Sequence, residues 1–187
     1  VGCDKADTGL VRHPASKTGI HFENTLTPTA ELNILNYLYY YNGAGVAAGD
    51  YNNDGLMDLY FVGNQVADRL YLNTGNFQFQ EVTQAAGIDN AGGFSTGVTN
   101  IDINSDGLLD IYVCKVGSHQ SLQDPNLLFL NQGIGDDGIP VFEEAAERFD
   151  LDLTGYGTHT SFFDADLDGY LDLYMLNHSV HPNRSYG

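Results

Sequence analysis

Gly45-Val-Ala-Ala-Gly-Asp-Tyr-Asn-Asn-Asp-Gly-Leu-Met-Asp-Leu-Tyr-Phe-Val62 sets an aspartate-rich turn between two short apolar segments. It returns as Gly97-Val-Thr-Asn-Ile-Asp-Ile-Asn-Ser-Asp-Gly-Leu-Leu-Asp-Ile-Tyr-Val-Cys114 and as His159-Thr-Ser-Phe-Phe-Asp-Ala-Asp-Leu-Asp-Gly-Tyr-Leu-Asp-Leu-Tyr-Met-Leu176. Each copy sets an aspartate-rich loop just ahead of an apolar run with a period of two, the spacing of a strand. The first loop aspartates, Asp50, Asp102 and Asp164, are 52 and 62 residues apart.

Two further pieces travel with the loop. Leu70-Tyr-Leu-Asn-Thr-Gly75 matches Leu128-Phe-Leu-Asn-Gln-Gly133, and Phe77-Gln-Phe-Gln-Glu81 matches Val141-Phe-Glu-Glu144. Each unit therefore holds four short strand patterns in about 50 residues, the signature of a β-propeller blade. A helical solenoid would show a 3.6-residue apolar period instead, so it is excluded. The expected fold is an all-β propeller with four-stranded blades. The extra length of the second unit falls at Ser118–Pro125 and Gly133–Pro140, both read as loops. Gly19–Asn24 resembles a fourth-strand piece and reads as an orphan strand that could complete a last blade. About three blades cannot close a ring, so the chain reads as an N-terminal fragment. Residues 1–17 form a polar tether, and 18–187 a propeller segment continuing past Gly187.

The loops carry hard-cation chemistry. Ca²⁺ takes six to eight oxygen ligands in flexible geometry. Positions 1, 3, 5 and 9 are Asp50, Asn52, Asp54 and Asp58 in the first loop, and Asp102, Asn104, Asp106 and Asp110 in the second. In the third they are Asp164, Asp166, Asp168 and Asp172. The carbonyls of Leu56, Leu108 and Tyr170 at position 7 complete each candidate set. Gly55, Gly107 and Gly169 at position 6 are expected where a Cβ would resist the turn. An EF-hand needs a Glu at position 12, but Phe61, Val113 and Met175 stand there. Mg²⁺ demands a stricter octahedron. About three calcium sites are expected, with affinities on the order of 10⁻⁴–10⁻³ M.

Net charge supports this inventory. Of 25 acidic residues against 7 basic, ten lie in the three loops, and three bound Ca²⁺ would bring −18 to −12. Such a surface repels phosphate backbones, which argues against nucleic acid as a partner. No apolar run reaches the length of a membrane-spanning helix. Cys114 lies in a strand pattern and reads as a small buried hydrophobe. Cys3, in Val1-Gly-Cys-Asp4, matches the end of a bacterial lipobox and is the candidate lipidation site. Any membrane association is expected through it alone.

These loops resemble the FG-GAP/VCBS repeats of integrin-α-like β-propellers. Gly43–Asp50, Leu70–Gly75, Glu81–Ile88 and Leu176–Pro182 are similar to the cartilage-acidic-protein-like group of Bacteroidetes-type bacteria. The resemblance implies a seven-bladed calcium propeller in a longer exported protein. That protein would sit on the outer face of the outer membrane as a lipoprotein, or be secreted.

No Ser/His/Asp spacing, phosphate loop or zinc pattern appears. His178-x-x-His181 and His119 read as loop polarity, and Glu143, Glu144 and Glu147 as a solvated face. The aromatic run Tyr37, Tyr39, Tyr40 and Tyr41 reads as core or as a platform for sugar or protein. The expected function is non-enzymatic: a calcium-stabilised extracellular binding or scaffold module recognising protein or glycan. The alternative is a lyase-like polysaccharide enzyme on the same propeller, which seven cationic residues in 187 disfavour, since uronate charge must be neutralised.

Overall fold

The computed structural model describes residues 11–90 and 92–179. Two complete four-stranded antiparallel sheets and one hairpin follow one another along the chain. Strands β1 (Val46–Gly49), β2 (Asp58–Phe61), β3 (Arg69–Gly75) and β4 (Gln78–Glu81) form the first sheet in sequential order. The second sheet repeats the order with β5 (Ser95–Ile101), β6 (Asp110–Lys115), β7 (Leu127–Ile134) and β8 (Pro140–Glu144). Strands β9 (Gly157–Phe163) and β10 (Asp172–Asn177) pair as the start of a third. These are blades of a β-propeller, and each aspartate loop joins a blade's first strand to its second.

Blades stack face to face because their second strands are apolar on both sides. On β6, Ile111 and Val113 enter the core shared with the first blade, against residues including Tyr60, Val62 and Leu70. Tyr112 and Cys114 alternate to the other face and pack with Phe162 and Met175 of the third blade. All six residues of β6 are consequently buried. Cys114 is the buried hydrophobe its sequence context implied.

The inner strands β1, β5 and β9 lie side by side. A Cβ on Gly97 would strike the Thr158 carbonyl, so glycine there permits the approach of β5 to β9. Hydroxyls then bridge the two strands: Thr99 Oγ1 donates to Thr160 O at 2.9 Å and Thr96 Oγ1 to Gly157 O at 2.6 Å.

The segment after α1 (Ala15–Thr18) runs without a strand partner among the described residues. Gly19–Asn24 forms no strand. It crosses the outer face of the first blade, where Phe22 stacks on Phe61 at 5.2 Å and the His21 amide donates to Tyr71 Oη. It covers apolar rings on a blade face, so side-chain packing replaces ladder pairing. Residues 30–42 form turns and send Leu32, Tyr37 and Tyr40 into a separate small core with Phe94, Val116 and Leu122. Cys3, His181 and residues 1–10 of the tether lie outside the described residues.

Candidate metal centre

The three loops share one hydrogen-bond plan. The first carboxylate closes the turn, accepting from the amides of positions 5 and 6. Asp50 takes Asp54 N at 3.0 Å and Gly55 N at 2.8 Å. Asp102 takes Asp106 N at 3.0 Å and Gly107 N at 2.9 Å. Asp164 takes Asp168 N at 3.1 Å and Gly169 N at 2.9 Å. Position 3 also accepts from the position 5 amide, through Asn52, Asn104 and Asp166. Position 5 accepts from the position 7 amide, through Asp54, Asp106 and Asp168.

Backbone geometry makes this possible. Gly55, Gly107 and Gly169 have φ of 85°, 85° and 91°, as their place in the motif required. Position 4 is also left-handed, at Asn53, Ser105 and Leu167, with φ of 54°, 59° and 63°. No sequence signal marks this second reversal, because three different residue types occupy it.

The ligand oxygens converge. Carboxylate oxygens of Asp164, Asp166 and Asp172 all lie within 4.8 Å of one another. A mutual approach of three carboxylates in one turn suits a hard cation, and the donor set is wholly oxygen. The first two loops place Asn52 and Asn104 at position 3, so two carboxylates and an amide oxygen occupy the corresponding places. Their amide nitrogens reach the position 5 carboxylates at 3.0 and 2.8 Å.

Position 9 is held from outside the loop, by the Leu-Asn-x-Gly piece. Asp58 accepts from Tyr51 N at 3.0 Å and from Asn73 N at 2.8 Å. Asp110 accepts from Ile103 N at 2.9 Å and from Asn131 N at 2.8 Å. The Asn73 and Asn131 side chains grip the chain just before these aspartates, donating to Met57 O and Leu109 O. Their Oδ1 atoms accept from Gly75 N and Gly133 N, turning the strand end. Asn73 and Asn131 are thus supports of the site that loop-by-loop reading missed, although their recurrence in register was the available signal. Burial pushes the Asp58 carboxyl up to about 6, and raises that of Asp110, despite the amides that favour ionisation.

Outside the loops, other sequence candidates fall into place. Glu144 is exposed, as the solvated-face reading has it, and it also accepts from Leu128 N at 3.2 Å and Ala146 N at 3.0 Å, tying β7 to the turn after β8. Glu143 lies 3.6 Å from Arg148 with both half-exposed. Tyr37 and Tyr40 are core, whereas Tyr41 is exposed. Tyr37, Tyr39, His119, Tyr156 and His178 form one aromatic cluster, at the ends of β6 and β10 away from the aspartate loops. His178 is therefore built into the fold rather than standing as loop polarity.

The FG-GAP-like repeat family matches residues 50–113, from the first aspartate of the first loop to β6 just past the second. The match covers about a third of the chain and assigns that stretch as an FG-GAP/VCBS-type repeat. No curated protein matches the chain.

Proposed function

We propose that this chain is a calcium-stabilised binding module, exposed outside the cell on a propeller scaffold and recognising protein or glycan. The observation that carries the calcium reading is the threefold repetition of one oxygen-lined turn, with three carboxylates of the third loop gathered within 4.8 Å. Carboxylates packed this closely repel, by roughly 4 kcal/mol per pair at 4 Å and an effective dielectric of 20, and a divalent cation removes that cost. The residues fit the ion: Asp50, Asn52, Asp54, the Leu56 carbonyl and Asp58 would hold it in the first loop. Asp102, Asn104, Asp106, the Leu108 carbonyl and Asp110 would do so in the second. Asp164, Asp166, Asp168, the Tyr170 carbonyl and Asp172 would serve the third. Bound calcium would fix each loop and so the angle at which a blade's first two strands meet. Its role is structural.

An extracellular setting suits weak calcium sites, and the similarity to the cartilage-acidic-protein-like bacterial group, with Cys3 as lipid anchor, supports the same placement. A binding role is preferred to catalysis because Lys115, the one buried lysine or arginine among the described residues, is already engaged. Lys115 Nζ donates to Asn90 Oδ1 and Gly92 O and sits 3.6 Å from Asp124.

Calcium titration followed by thermal melting tests the reading. At ten to a hundred times Kd each site should add about 1.4–2.7 kcal/mol, and chelator should remove it. An unchanged melting temperature in chelator defeats the calcium reading.

A further inference from the structure

At the end of the strands opposite the aspartate loops, a cavity of about 220 Å³ opens between the turns of residues 30–42 and the inner strands. Tyr37, Tyr39, Asn42, Thr96, Thr158 and His178 line it, and no carboxylate, lysine or arginine does so among the described residues. In a chain of net charge −18 an uncharged recess is a selective feature. Its volume is below the roughly 300–1,000 Å³ of sites for drug-sized ligands, which limits an occupant to about one ring.

The lining is amphipathic in a definite way. Tyr39 and His178 stack at 3.9 Å with an interplanar angle of 23°, and Tyr37 and Tyr156 pack around His178. Because these rings pack on one another, they do not stand as the separate walls of a cage for a quaternary ammonium. Around them are neutral polar groups with capacity to spare. Thr96 Oγ1 donates to Gly157 O and Thr158 Oγ1 to Leu176 O, which leaves both hydroxyl oxygens as acceptors. His178 Nδ1 lies 3.1 Å from the Ser179 carbonyl and must donate there. Its Nε2 then accepts from Tyr37 Oη at 2.9 Å, and the phenol oxygen keeps its lone pairs.

A second observation points to a hydroxyl-bearing ligand. His119 lines an adjoining cavity of about 40 Å³, which shares Tyr37, Tyr39 and His178 with the first. Its Nε2 lies 3.2 Å from Asn36 O and must donate, so Nδ1 is an acceptor. That atom is buried and has no partner, in a residue only 7% exposed. A buried acceptor without a donor is costly. The small cavity has room for one O–H group, a ligand's own or that of a bridging water.

We infer that the Tyr39–His178 recess binds a single neutral sugar ring, one hexopyranose unit of a glycan. The ring's C–H face would lie on the aromatic surface, and its hydroxyls would meet Thr96, Thr158, Asn42 and, directly or through water, His119. The inference rests on the binding-module reading and names its ligand class and site. Acidic sugars are disfavoured, since nothing in the recess offsets a carboxylate.

The test uses the full chain in millimolar calcium, with saturation-transfer NMR and tyrosine fluorescence as readouts; the absence of Trp keeps the tyrosine signal clean. The probes are methyl glycosides of glucose, galactose and mannose, with glucuronate as the charged control. Expected is saturable binding of at least one neutral glycoside, with Kd on the order of 1 mM and glucuronate at least about tenfold weaker. Tyr39→Ala should weaken binding about tenfold, Tyr39→Phe should keep it because the ring face is retained, and Thr158→Val should weaken it about fivefold. The calcium shift in melting temperature, measured for each variant, separates lost binding from lost folding. If Tyr39→Ala fails to fold, Thr158→Val decides. No saturation by any neutral probe up to about 50 mM overturns the inference, as does binding that Tyr39→Ala and Thr158→Val leave intact or that glucuronate matches. A calcium shift without sugar binding defeats this inference alone. Sugar binding without a calcium shift defeats the calcium reading alone.

Discussion

The second and third aspartate loops are the same nine-residue turn in two surroundings. Asp110 at position 9 of the second loop is wholly buried, is held by two amides, and has its ionisation opposed by burial. Asp172 accepts from one amide, Ala165 N, and is exposed because no third strand pairs with β10 among the described residues. Nothing inside the turn causes this difference. Asn131 on β7 supplies the second amide to Asp110, and the first and third blades bury β6 between them. The loop motif thus specifies a set of oxygens, while the blade around it sets how tightly they are held before any cation arrives.

Substitution at position 9 should break the equivalence most strongly. In chelator, Asp110→Ala leaves the Ile103 and Asn131 amides without an acceptor in the interior and should cost about 2–4 kcal/mol. Asp172→Ala should cost less than about 1 kcal/mol, since water replaces its carboxylate at an exposed amide. Chemical denaturation of both variants in chelator checks this, and equal losses would mean the blade context is irrelevant.

A buried carboxylate that no loop contains sharpens the point about context. Asp68 accepts from Gly63 N at 2.8 Å, from Tyr60 Oη at 3.1 Å and from Asn90 Nδ2, beside the Lys115 that reaches over from β6. Burial pushes its carboxyl up to about 6, above the ordinary 3.8. The folded protein therefore holds this proton more tightly than the unfolded chain. The contribution of Asp68 to stability is greatest below about pH 4 and is lost as pH rises through 6, by at most about 3 kcal/mol. Asp68→Asn should flatten that part of the pH–stability profile, measured by denaturant unfolding from pH 4 to 7.

Asn131→Ala tests the link between blades. Its side chain donates both to Leu109 O in its own blade and to Tyr51 O, at 2.9 Å, inside the first loop. Asn73 in the first blade makes only the local contact, with Met57 O. Asn131→Ala should cost about 2 kcal/mol, roughly 1 kcal/mol more than Asn73→Ala, and should also weaken calcium binding at the first loop. The smallest effect is expected at Leu167, an 87% exposed leucine held at φ 63°. Leu167→Asn, copying the residue at Asn53, should stabilise by about 0.5–1 kcal/mol in thermal melts.

The fold class and the candidate ligands were legible in the sequence because both are local. A strand's period of two and a turn's alternation of Asp, Asn and Gly act within about ten residues, so repetition at a fixed interval exposes them. The conformation of Gly55, Gly107 and Gly169 followed for the same reason. For Gly19–Asn24 the pattern states which residues are apolar but not what they cover in this chain. Here the cover is Phe61 and the face of the first blade rather than a strand edge. Glu144 is exposed as its charge implied, but the two amides it accepts from could not be read until β7 was placed beside it.

Four-stranded blades and three oxygen-rich turns, one per blade, are written into the order of residues alone. Blade stacking buries Asp58 and Asp110, braces them with Asn73 and Asn131, and brings Tyr37 to His178 across 141 residues of chain. Separation along the chain divides the two: the turns are closed by bonds within their own residues, whereas burial and the aromatic recess exist only once blades from distant parts of the chain have stacked.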